Sequence, residues 1–119
     1  MILYRSLEPI DREDGVAQLE SPDSTAVVDA ILRLSLHDPD GSWVTTRAVS
    51  LLSSRDSAVR GAAATALGHV ARIHRSIDTD LVVPALRNLL GDNEIVGRVE
   101  DALDDIAVFA TPSDSDSQP

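Results

Sequence analysis

The chain has no cysteine and no lysine, and Tyr4, Trp43 and Phe109 are its only aromatic residues in 119 positions. Without cysteine there is no disulfide, no thiolate metal site and no cysteine nucleophile. With so few aromatics, the core has to be built from Leu, Val, Ile and Ala, and alanine-rich packing suits closely spaced helices. Long apolar runs are also missing: none approaches the roughly 20 residues that a membrane-crossing helix needs. Met1-Ile2-Leu3-Tyr4 meets Arg5 too soon for a secretory signal. These absences lead us to expect a cytoplasmic protein with no membrane association. Positive charge is scarce as well, with ten Arg against twenty acids and a net charge of −10. Such a surface repels nucleic acid and anionic lipid and attracts a basic partner, although the same excess also keeps a small protein soluble.

What is present is a repeat. Asp23, Asp56 and Asp92 each follow a leucine-ended segment and precede an apolar run, with spacings of 33 and 36 residues. Ala66-Leu67 and Ala102-Leu103 are likewise 36 apart. A period of that size marks a two-helix unit. The first outer helix is expected over 11–20 and the first inner helix over 24–37. The turn 37–41, with Pro39 and Gly41, ends that helix. A second outer helix is expected over 42–53, capped by Ser42. A second inner helix follows over 57–74, with Val59, Ala63, Ala66, Leu67, Val70 and Ile73 inward and Ala64, Thr65, Gly68 and His69 as its exposed strip. The third outer helix starts after Asp78, with Pro84 in its first turn and Gly91 as its C-cap. The last inner helix is expected over 93–110. The tail 111–119 has no apolar anchor and is expected to be disordered. We therefore expect one domain over 1–110, and no alternating run calls for a strand.

The stretch Asp56, Val59, Arg60, Ala63, Ala66, Leu67, Gly68 follows the spacing D-x-x-V-R-x-x-A-x-x-A-L-G and resembles the HEAT repeat signature. The resemblance implies an all-α, right-handed α-solenoid of about three HEAT-like helical hairpins. In it Asp56 caps the inner helix, Arg60 reaches polar groups in the inter-repeat turns, and the small residues permit close stacking. The copies around Asp23 and Asp92 are degenerate, as terminal repeats are when they serve as caps. The turn Leu36-His37-Asp38-Pro39-Asp40 followed by Trp43, together with the acidic stretch from Glu100 to Ile106, also resembles small bacterial HEAT-like immunity proteins of polymorphic or contact-dependent toxin systems. That likeness implies a protein that binds and neutralises a toxin domain; the alternative is a HEAT-like adaptor unrelated to toxins.

Glu100, Asp101, Asp104 and Asp105 make three like-charge pairs at i,i+3 and i,i+4, each costing roughly 0.2–0.5 kcal/mol. From Asp92 onward eight acids face Arg98 alone. The cluster is either a solvated helix face or a docking patch for a basic protein. His69 aligns with Asp105, so His69 and Arg72 would border that patch, or His69 would make one ordinary hydrogen bond. Asp38, Asp40 and Trp43 form a second candidate patch at a repeat edge, with Trp43 either an interface residue or a plug over the core. His69 and His74 are five apart, which misses the i,i+4 metal-ligand spacing. No phosphate loop, nucleophile motif or zincin spacing is present. The expected protein is not an enzyme, holds no cofactor or metal, is monomeric when free, and has a protein partner, a basic toxin domain.

Overall fold

Aspartate sets most of the helix starts. In the computed structural model, which describes residues 7–110, six helices run in order: α1 Arg12–Leu19, α2 Ser24–His37, α3 Gly41–Leu51, α4 Ser57–His74, α5 Thr79–Arg87 and α6 Val96–Phe109. No strand occurs among the described residues. Asp23, Asp40, Asp56 and Asp78 precede α2, α3, α4 and α5, and each carboxylate accepts a first-turn backbone N–H. Each such cap is worth about 1 kcal/mol. Asp56 does this twice, from Ala58 and Val59, and also accepts from the Ser24 hydroxyl, which ties the start of α4 to the start of α2.

Short turns fold the helices into three neighbouring pairs, α1 with α2, α3 with α4 and α5 with α6, while α4 also packs along both α2 and α6. The alanines explain why α4 occupies the centre. Ala62, Ala63, Ala64, Ala66 and Ala71 are fully buried together with Leu67, so neighbouring helices approach on several sides. Ile31 and Leu34 from α2, Val44 and Ala48 from α3, Val82 and Leu86 from α5, and Val99 and Ile106 from α6 complete one core. The reach implied for Arg60 is present: its guanidinium donates to the Ser54 and Arg55 carbonyls, to Asp92 at 3.0 Å and to Glu94 at 3.4 Å. It thereby links the turn before α4 to the turn before α6. No helix among the described residues is long and apolar enough to cross a membrane.

Several expected boundaries differ. Asp40, not Ser42, caps α3, and its first residue is Gly41, where a Cβ would meet the His74 ring at 2.9 Å. Pro84 lies in the sixth position of α5 rather than its first turn. The chain tolerates it there because α5 is nine residues long and Pro84 is on its exposed side, so one lost N–H bond has little to disrupt. Gly91 is not the C-cap: α5 ends at Arg87 with Asn88 as its C-cap, and no described glycine has positive φ. α6 begins at Val96 rather than Asn93: Asp92 accepts from Arg60 and from the Glu94 N–H, but the chain over 92–95 makes a turn, closed by the Ile95 N–H on the Asp92 carbonyl, before the helix starts. The strip Ala64, Thr65, Gly68, His69 is not exposed: Ala64 and Gly68 are buried, and Thr65 and His69 half-buried, because α2 and α6 close over it. The expectation for the tail 111–119 lies outside the described residues.

Candidate functional site

Gly68 builds the α4–α6 seam. With no Cβ, it lets α6 come close enough that a side chain there would stand 2.9 Å from the Asp105 carboxylate and 3.4 Å from the Ala102 backbone. Asp105 fills that notch and faces Arg72 across the seam at 3.7 Å. One residue along α4, His69 turns toward α2, where its Nδ1 lies 3.0 Å from the Ser35 hydroxyl oxygen. The structure thus brings together His69, Arg72 and Asp105. Glu100, Asp101 and Asp104 are exposed on the same helix as Asp105.

Ser35 orients the histidine. Its hydroxyl donates to the Leu32 carbonyl at 2.8 Å, and the same oxygen holds His69 Nδ1 at 3.0 Å. A Ser–His pair at this distance has the spacing of a nucleophile and its base, but Ser35 is 1% exposed and out of a substrate's reach. Burial, then the charge of Arg72, pushes the His69 pKa down to about 4, while Asp105 opposes them. The imidazole is therefore neutral at ordinary pH.

The second expected patch is mostly committed to the fold. Asp38, a candidate contact residue at a repeat edge, has a side chain only 6% exposed. It accepts from Arg12 at 2.7 and 3.2 Å and from the Asp40 N–H at 2.9 Å. Burial raises the Asp38 pKa, but the bonds from Arg12 and Asp40 and the charges of Arg12 and His74 outweigh it, and the net shift is downward. Asp40 is exposed, with one oxygen on the Trp43 N–H. Trp43 is half-buried against the core, with Arg12 stacked 4.2 Å from its ring centre and Arg47 at 5.4 Å. This corner clamps α1 to the α2–α3 turn.

The sequence did not single out three further features. Ser35, one of few polar residues on a buried face, orients His69. A cleft of about 290 Å³ between the start of α3 and the α4–α5 turn is lined by Thr45, Thr46, His74 and Asp78. A shallow apolar groove runs along α2 past Leu7, Val28 and Leu32, beside Asp29, whose Oδ1 is buried without a hydrogen-bond partner. No cluster of three or more His, Asp or Glu among the described residues is placed to hold a metal.

No family model matches the chain, and no curated protein sequence matches it. Among solved structures, a chain of a CDI complex from Cupriavidus taiwanensis LMG 19424 is similar: it is 28% identical, with a TM-score of 0.81, over 93% of this chain and 100% of that one. The chain thus shares its fold, from end to end of the neighbour, with a component of a CDI complex.

Proposed function

We propose that the chain is the immunity component of a CDI system, a protein that binds a cognate toxin domain and blocks it. The likeness to a chain of a CDI complex, at 28% identity over nearly the whole length, carries this reading. We assign the inhibitory rather than the toxic role because the serine beside His69, Ser35, is 1% exposed and cannot meet a substrate. The chain is then no enzyme, but a binding scaffold acting in the cytoplasm, monomeric until it meets its toxin. Its three hairpins would stack as a right-handed α-solenoid of the HEAT kind.

The contact surface in this proposal is the α6 face with Glu100, Asp101 and Asp104, bordered by Asp105, His69 and Arg72. Its charge suits a basic toxin surface, such as the cleft of a nuclease, and would speed association at low salt. Co-expression with the toxin domain encoded beside this gene provides the test. Cells that carry both should grow, cells with the toxin alone should not, and the two proteins should co-purify. Failure of the chain to protect against or to bind any neighbouring toxin domain would overturn the proposal.

A further inference from the structure

The cleft of about 290 Å³ lies between the first turn of α3 and the turn that joins α4 to α5. Two backbone features shape it. Gly41 leaves room for the His74 ring, which a Cβ there would meet at 2.9 Å. Arg75 takes a left-handed φ of 57°, the one non-glycine residue among those described to do so, and its guanidinium lies 5.2 Å from the Phe109 ring centre. Both of its chain neighbours, His74 and Ser76, line the cleft. Strained backbone of this kind clusters at binding sites. The volume falls at the bottom of the roughly 300–1,000 Å³ that small-molecule ligands occupy, so the cleft suits one side chain rather than a cofactor.

We propose that this cleft receives one arginine side chain of the bound partner, with its guanidinium on Asp78. The inference rests on the proposed toxin-binding role and adds a contact outside α6. No arginine lines the cleft, and Asp78 is its one carboxylate. The two helix N-termini at its rim are closed to an anion, because Asp40 caps α3 and Asp78 caps α5. Asp78 gives one oxygen to the Leu81 N–H, and as an exposed carboxylate it keeps acceptor capacity for a cation. Thr46 donates its hydroxyl proton to the Ser42 carbonyl and keeps lone pairs for a donor, and Ser42 and Ser76 add two more hydroxyls. Ile77 and Leu81, the latter 44% exposed, give the aliphatic stem an apolar wall. A guanidinium, with five N–H donors in a planar fork, matches acceptors spread round a cleft better than the compact ammonium of lysine.

Titration of the full ¹⁵N-labelled chain with N-acetyl-arginine amide should shift the Ser76, Ile77 and Asp78 amide signals, and N-acetyl-norleucine amide should not. Equal shifts with both probes, or none with either, would overturn the inference. Asp78→Asn removes the charge and keeps a good helix cap, so it should fold and lose the arginine response. With the cognate toxin domain, the same variant should bind about tenfold more weakly, the scale of one charge-assisted hydrogen bond. Thr46→Trp, at an exposed position of α3, should plug the mouth of the cleft and weaken binding as well. Asp80→Asn removes the same charge two residues on, outside the lining, and should change affinity far less. Unchanged affinity in Asp78→Asn or in Thr46→Trp, or equal losses in Asp78→Asn and Asp80→Asn, overturns the inference and leaves the immunity role standing. If the unaltered chain binds no toxin, the immunity role fails, and the arginine titration still decides the inference.

Discussion

Helices α4 and α6 carry one pattern 36 residues apart and differ in how many sides they bury. Ala66-Leu67 recurs as Ala102-Leu103. α4 packs against α2, α3 and α6, and ten of its 18 residues are buried. α6 packs mainly against α4 and α5, and three of its 14 residues are buried. The small residues of α4 are needed because a helix enclosed on several sides has no room for large ones. α6 has a free flank, so acids that α4 could not hold are accommodated there. Sequence pattern selects the helix face, and the number of neighbours then decides whether that face is core or contact surface.

The largest effect should come from cutting equivalent leucines. Leu67 is fully buried and Leu103 only partly so. Leu67→Ala should cost about 3–4 kcal/mol, and Leu103→Ala about 1 kcal/mol, since a rim position loses less contact and leaves no closed cavity. Urea unfolding of both variants measures this, and equal losses would remove the distinction between the two helices.

The arginines separate in the same way. Arg60 is 17% exposed and makes bonds to two carbonyls and two carboxylates. Arg60→Ala should cost about 2–3 kcal/mol, because Asp92 is left half-buried without its cation. Arg98 is exposed, makes no ion pair among the described residues, and lays its stem over Gly61. Arg98→Ala should cost about 0.5 kcal/mol or less. A similar loss for the two would mean that the link through Arg60 contributes little.

Between these two helices lies a pH effect. His69 has a folded pKa of about 4 against an ordinary value of 6.5, so the unfolded chain binds this proton first as pH falls. Its contribution is complete above about pH 6.5 and is lost as pH drops toward 4. The full shift would correspond to about 3 kcal/mol, and partial exposure of the ring reduces it to on the order of 2 kcal/mol. His69→Asn should flatten the stability profile over that window. An unchanged profile would assign the acid sensitivity to carboxylates such as Asp38 and Asp56, whose lowered pKa values shed stability only below the ordinary carboxylate range.

Much of this architecture was legible in the sequence, for identifiable reasons. Asp56 acts through a fixed local offset, a cap two or three residues on, so its role follows from its place before an apolar run, while the reach of Arg60 into the inter-repeat turns was implied by the resemblance to the HEAT signature. The inner helices α2 and α4 were legible because caps and apolar period agree. The start of α6 was not: Asp92 accepts the N–H two residues on as Asp56 does, yet the chain makes a turn over 92–95 before the helix begins. Nor was the burial of Asp38, which depends on Arg12 arriving from another helix. For His69, alignment with Asp105 suggested solvent; only the closing of α2 and α6 over α4 shows otherwise. Ser35 carried no signal, since the use of its hydroxyl depends on what faces it.

The smallest expected effect on stability separates the contact surface from the fold most cleanly. Glu100, Asp101 and Asp104 are exposed and make no ion pair among the described residues. Replacing them as Glu100→Gln, Asp101→Asn and Asp104→Asn removes all three like-charge pairs on α6, including the one Asp101 makes with Asp105. The helix should gain up to about 1 kcal/mol at low ionic strength, and the gain should fade as salt screens the charges. Asp105 is left in place, so the seam with Gly68 and Arg72 is untouched. If these acids form the docking face, this variant should unfold no sooner than the unaltered chain and bind the toxin more slowly. A variant that unfolds sooner would show that the acids support α6 itself. One that is more stable and binds at full rate would move the contact off this flank of α6.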